Sequence, residues 1–142
     1  MPPWSSIRPK RFSPVLLSRV INSKTVFPAL ILHFLENGPE HGFALMQRIE
    51  ATCSDLLAVN TNTIYPLLRR LEERGFIGGE WDHPTKRSRR IYALTPAGRE
   101  RLTRIKSNML PYLDYLAAAV ERLRDELYGD DVSVITSTKK SA

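Results

Sequence analysis

Apolar residues recur on a helical period in three successive stretches of the chain. Residues 25–36 (TVFPALILHFLE) read as a first buried helix, with Pro28 tolerable in its first turn. Asn37-Gly38-Pro39 ends it, a glycine cap followed by a residue that cannot continue a helix. His41-Gly42 opens a second helix whose buried face is Phe43, Leu45, Met46 and Ile49, and residues 53–60 form a turn. Ile64, Leu67, Leu68 and Leu71 then fall at i, i+3, i+4 and i+7, one stripe of a third helix. Pro66 restricts where that helix begins, because an interior proline removes a hydrogen bond and crowds the preceding turn. A start near Asn62 or Thr63 is expected, with Thr61, Asn62, Thr63 and Tyr65 around the exposed N-terminal end.

Past Gly75 the helical period stops. Phe76, Ile77 and Trp81 lead into a turn at His83-Pro84-Thr85, and Arg90 to Leu94 return as a second strand. A packed helix followed by such a hairpin is the pattern of a winged helix-turn-helix, expected over residues 25–95.

Thr95-Pro96 is a helix start, Thr as N-cap and Pro at the first helical position. From there Leu102, Ile105, Met109, Tyr112, Leu116, Ala119 and Leu123 alternate spacings of three and four, a coiled-coil seam. Leu113, Val120 and Leu127 form a second line beside it. So long an apolar face calls for a second copy of the chain, which makes residues 96–128 a dimerisation region. Pro111 is expected to kink or break it near Asn108. Residues 1–24, with prolines at 2, 3, 9 and 14, read as a basic arm with room for a short helix from Pro14 to about Asn22. Residues 129–142 read as a disordered tail. The expected fold is thus mainly α, with a two-stranded β wing and a C-terminal dimerisation helix.

Charge sharpens this picture. The net charge is +6, and four cations (Lys86, Arg87, Arg89 and Arg90) cluster at the hairpin tip with no acid among them. A basic hairpin beside an exposed helix N-terminus suits double-stranded DNA: free amides and the helix dipole attract phosphate, and cations bind the flanking backbone. The single cysteine, Cys53, excludes an internal disulfide and any cysteine-based zinc cluster. His33, His41 and His83 lack metal spacing. There is no Gly-rich phosphate loop, G-x-S-x-G elbow or HExxH, so no enzyme activity, metal or cofactor is expected. No stretch is long and apolar enough for a membrane span. Val15-Leu16-Leu17 is too brief for a signal-peptide core, and a cytoplasmic protein is expected.

Over about residues 26–104 the chain resembles the PadR family of bacterial transcriptional regulators. The resemblance rests on His41-Gly42-Phe43, on Thr63-Ile64-Tyr65-Pro66 with Leu68, Leu71 and Glu72, and on Arg89-Arg90-Ile91-Tyr92 leading to Leu94-Thr95-Pro96-Ala97-Gly98. The Tyr-Pro pair within the third helix is its most specific mark. It implies a homodimeric repressor that binds a palindromic operator and often releases it when a small molecule binds. A single C-terminal helical element is similar to the shorter subfamily. The 24-residue arm and Pro111 depart from the family pattern.

The candidate DNA-binding residues are Thr61, Asn62, Thr63, Tyr65, Arg69, Lys86, Arg87, Arg89 and Arg90. Tyr65 has a competing role, packing in the turn between helices, and the four wing cations have one as a solvated tip. Arg89 and Arg90 alternate along a strand, so they point to opposite faces. Trp81 and Tyr92 are assigned to hairpin and core packing. Met109, Tyr112, Tyr115 and Leu116 are candidate walls for a small hydrophobic or aromatic effector, although a dimer core is the better account of them, since a Met and aromatic seam at heptad spacing needs no ligand. Two alternatives stand beside this reading: a MarR-like regulator, which shares a Leu-rich recognition helix, basic wing and Leu-Thr-x-x-Gly element, and a winged-helix protein-interaction module.

Overall fold

The computed structural model describes residues 21–53, 57–83 and 89–129. Among these residues four helices and three short strands follow in the order α1 (Ser23–Leu35), β1 (Glu40–His41), α2 (Gly42–Cys53), α3 (Thr61–Glu73), β2 (Ile77–Trp81), β3 (Arg90–Leu94) and α4 (Pro96–Tyr128). Expectations for the arm before residue 21, a short helix there, and the tail beyond residue 129 lie outside the described residues.

Helix α1 begins two residues earlier than the apolar pattern predicts. Asn22 is its N-cap: its side-chain oxygen accepts from the Lys24 and Thr25 amides at 2.8 and 3.2 Å. The Thr25 hydroxyl accepts in return from the Asn22 amide at 3.4 Å, closing a capping box. The earlier start puts Pro28 inside the helix, beyond its first turn. The proline deprives the Lys24 carbonyl of its usual donor, but Lys24 is exposed and water can serve. Burial of Phe27, Ile31, Leu32, Phe34 and Leu35 offsets the cost.

Together with Leu45 and Ile49 of α2, Ile64, Leu68 and Leu71 of α3, Ile77, Tyr92 and Leu102, these side chains form one hydrophobic core. In α2 the buried side is Gly42, Leu45, Ile49 and Cys53. Met46 packs against the core as expected. Phe43 does not: it is 54% exposed, because burying Gly42, Leu45 and Ile49 on the i, i+3, i+7 line turns position 43 outward.

The sheet has three strands rather than the two expected, in the order β1-β3-β2 and antiparallel throughout. Glu40 and His41 pair with Tyr92 and Ile91, adding a short strand to the wing. No pattern of alternation can show over two residues, which is why the sequence hides it. Arg48 on α2 pairs with Glu40 at 2.7 Å, and its guanidinium lies 4.2 Å over the Phe34 ring, tying β1, α2 and α1 together.

Thr95 closes the domain. Its hydroxyl accepts from the Gly98 amide at 3.0 Å, capping α4, and donates to the Gly75 carbonyl at 2.6 Å. Gly75, at φ 79, takes the left-handed conformation that ends α3. Gly98 lies against the Phe76 carbonyl so closely that a Cβ there would overlap it.

Helix α4 is one element through Tyr128, with Pro111 inside it, instead of the two segments expected. The proline removes one donor, and exposed Ser107 and Leu110 leave water access to the orphaned carbonyl. A boundary between two compact units of the chain falls between Ser107 and Asn108. On the first side, Leu102 is buried in the winged domain's own core and Ile105 packs against it. The place of Leu102 in the expected seam is corrected accordingly: a side chain closed inside its own domain has no surface for a partner. Beyond the boundary Leu113, Val120, Leu123 and Leu127 are exposed, as is Leu110. Met109, Tyr112, Tyr115, Leu116 and Ala119 are half-buried.

Candidate nucleic-acid interface

The candidate surface is built on α3. Asn60 caps it, so the helix begins at Thr61, one or two positions ahead of the expected start: the Asn60 side-chain oxygen accepts from the Thr63 amide at 3.1 Å and the Thr63 hydroxyl at 3.2 Å. Thr61 and Asn62 are then the first helical residues, both exposed, on a turn that holds no acid. The opposite side, Ile64, Leu67, Leu68 and Leu71, is buried. The core therefore fixes the helix by one face and leaves its polar N-terminal turn uncovered. That end carries the positive pole of the dipole and amides available to an anion.

Tyr65 is half-buried and packs against the core. A Cβ added at Gly42 would meet its Cε1 at 3.1 Å, Leu68 at 3.3 Å and Tyr92 at 3.3 Å. The glycine of the His-Gly pair is thus the seat of the tyrosine of the Tyr-Pro pair, and the two motifs are one packing arrangement. Arg69, one turn on, is exposed.

On the hairpin, Lys86 and Arg87 lie outside the described residues. Arg89 is exposed. Arg90 is differently placed: its Nη2 donates to both oxygens of Glu72, at 2.8 and 2.6 Å. The carboxylate raises the Arg90 pKa further above its ordinary value, chiefly through this hydrogen bond; burial opposes it, and the charge attraction adds a smaller upward effect. Its guanidinium also lies 5.3 Å over Trp81 and 5.8 Å over Tyr92. Tyr92 is core, as expected; Trp81 is 42% exposed and covers the arginine rather than the core. At the loop end of the strand pair His41 Nε2 meets Asp82 Oδ2 at 3.3 Å, and the Arg89 amide donates to Asp82 Oδ1 at 3.2 Å.

Two anchors of this surface escaped the sequence reading. Asn60 could have been found, because Val59 and Ile64 flank its turn in the pattern of a hydrophobic staple. The Glu72–Arg90 pair, 18 residues apart, leaves no local signal. Among the described residues, no group of three or more His, Cys, Asp or Glu side chains could hold a metal ion. Cys53 is buried, its thiol directed to the Ile49 carbonyl at 3.2 Å, and burial raises its pKa. No helix among the described residues is long and apolar enough to cross a membrane.

Three helices with a hairpin behind the third define a winged helix-turn-helix protein. The profile of the Transcriptional regulator PadR-like family matches residues 31–104. The chain is similar to Transcriptional regulator Rv3488 of Mycobacterium tuberculosis, 38% identical over 73 residues, which are 51% of this chain and 65% of that relative. It thus spans somewhat under two thirds of that relative's length. The fold is similar to that of smu.1704 from Streptococcus mutans UA159, with TM-score 0.60 and 22% identity, covering 78% of this chain and 94% of the other. It is also similar to that of a PadR family transcriptional regulator from Eggerthella lenta DSM 2243, with TM-score 0.57 and 27% identity over 75% and 93% of the two chains. The chain belongs to the PadR-like family of transcriptional regulators. That assignment replaces the MarR-like alternative.

Proposed function

We propose that the chain is a cytoplasmic, homodimeric transcriptional repressor that binds a palindromic operator through α3 and the wing. The observation that carries this reading is the division of α3: one face locked in the core, the other ending in the exposed, acid-free turn of Thr61 and Asn62. Exposed Arg69 and Arg89 supply cations beside it, and Lys86 and Arg87 belong to the same basic cluster in sequence. Two copies are expected because α4 carries Leu113, Val120, Leu123 and Leu127 on its surface. An apolar face of that length is costly to leave in water, and a second α4 is complementary to it. A two-fold dimer presents two α3 helices, hence a palindrome.

Met109, Tyr112, Tyr115 and Leu116 are the proposed lining for a small hydrophobic or aromatic effector, whose binding would alter the spacing of the two α3 helices. Selection of duplexes from a random-sequence pool, followed by binding measurements across a salt series, tests the DNA reading. A palindromic consensus with affinity falling steeply in salt is expected. Failure to enrich any sequence favours a protein-interaction module instead. For the dimer, Leu123→Lys together with Leu127→Lys is expected to give monomers in sedimentation, and an unchanged mass would refute the α4 interface.

A further inference from the structure

Glu72 and Arg90 join the end of the recognition helix to the start of β3, across a gap that the sequence keeps open. Gly79 of β2 sits opposite Tyr92, and Trp81 opposite Arg90. Residues 79 and 81 share one face of β2, and residues 90 and 92 share one face of β3. On that common face Trp81 and Tyr92 flank the arginine, while position 79 carries no side chain. A Cβ at Gly79 would overlap Arg90 Nη2 and lie 2.7 Å from Glu72 Oε1. The glycine is therefore the passage through which the arginine reaches the carboxylate. We propose that Glu72 is a positioning residue for DNA recognition: by holding Arg90 across Gly79 it fixes the hairpin's angle to α3, so that wing and helix meet one duplex together.

This inference rests on the DNA-binding reading above. The pair is about one third exposed on both sides, 30% and 33%, and a pair so placed contributes little to stability. Its value lies in geometry. The hairpin is joined to the helix by a short connection, and a small swing at its base displaces its tip. Arg90 in this arrangement is not a backbone clamp of the kind that Arg89 can be. The two roles make opposite predictions for Glu72. If Arg90 worked on phosphate, removing the neighbouring carboxylate would free it and strengthen binding. If Glu72 positions the wing, removing it weakens binding even though the protein becomes more positive.

The test uses the full chain and two duplexes: one enriched by the wild type from a random-sequence pool, and a scrambled duplex of equal length and composition. Glu72→Gln is expected to lower affinity for the enriched duplex about tenfold, as loss of a coupled pair does. Affinity for the scrambled duplex should hold or rise. Gly79→Ala keeps every charge and crowds only the flexible ends of two side chains, so the domain still folds; it should reproduce the loss of discrimination. The double variant should lose no more than either single one. Unchanged or tighter binding of the enriched duplex by Glu72→Gln or by Gly79→Ala, with melting temperatures near wild type, overturns the proposal. A wild type that enriches no duplex refutes the DNA-binding reading itself, a separate and prior outcome.

Discussion

Helices α1 and α3 begin with eight residues of the same chemical types in the same order and use them for different ends. Ile21-Asn22-Ser23-Lys24-Thr25-Val26-Phe27-Pro28 matches Val59-Asn60-Thr61-Asn62-Thr63-Ile64-Tyr65-Pro66 position by position: apolar, Asn, hydroxyl, polar, Thr, β-branched, aromatic, Pro. In both, the asparagine is the N-cap with extended backbone, φ -151 and ψ 170 in one, φ -152 and ψ 167 in the other. In both, the proline falls inside the helix at the sixth position after the cap. The local sequence thus dictates the same helix start twice. What differs is the surroundings. Phe27 is wholly buried, while Tyr65 is half-buried on Gly42. Thr25 closes its capping box by accepting from the Asn22 amide, whereas the Thr63 hydroxyl donates to the Asn60 side chain. The first start is used for the core; the second leaves Thr61 and Asn62 in solvent.

The largest expected effect separates the two aromatics. Phe27→Ala should cost about 3–5 kcal/mol, the transfer term plus a cavity in a closed core, and urea unfolding measures it. A loss below that of Tyr65→Ala would show that the two starts are not divided between core and surface. Gly42→Ala comes next. Its methyl would press on Tyr65, Leu68 and Tyr92 together, an overpacking cost of about 1–3 kcal/mol. If the tyrosine yields outward instead, the melting point holds and the ring is less fixed than its contacts suggest.

The helical stripes were legible because burial forces a 3.6-residue period: Ile64, Leu67, Leu68 and Leu71 needed no structure to be found. The Thr95-Pro96 start was legible because capping is local chemistry. Phe43 and Leu102 were misread for one reason. An apolar residue announces that it can be buried, not which neighbour will cover it, and Leu102 was taken by its own domain while Phe43 was left in water. Pro28 and Pro66 pushed the expected helix starts too late, since exposed carbonyls tolerate an interior proline. Of the candidate DNA surface, the exposed polar turn followed from the stripe's opposite face. Arg90's engagement did not, because it depends on a glycine in another strand.

A third measurement compares the caps themselves. Asn22→Ala and Asn60→Ala should each cost about 1 kcal/mol, with the first the larger because two amides and a closed box depend on it. Only the second should also weaken DNA binding, as the amides of α3's first turn lose their fixed direction. Equal weakening of binding by both would place the N-terminus of α1 on the DNA as well, and erase the functional difference between the two starts.

The smallest change in stability is expected from Tyr65→Phe, and it bears most directly on what separates the two helices. It makes the second start Val-Asn-Thr-Asn-Thr-Ile-Phe-Pro, with the aromatic of the first. The ring's seat on Gly42 is kept, so unfolding should shift by less than about 0.5 kcal/mol, as for a surface substitution that removes no packing. The hydroxyl alone is lost. If it reaches a base edge, affinity for the enriched duplex falls about tenfold and affinity for a scrambled one falls less, because a lost base contact acts mainly on specificity; if it reaches a phosphate, both fall alike. If both affinities hold, Tyr65 is the counterpart of Phe27 after all, a packing aromatic at the rim of the core. Recognition would then fall to Thr61, Asn62 and the cations beside them.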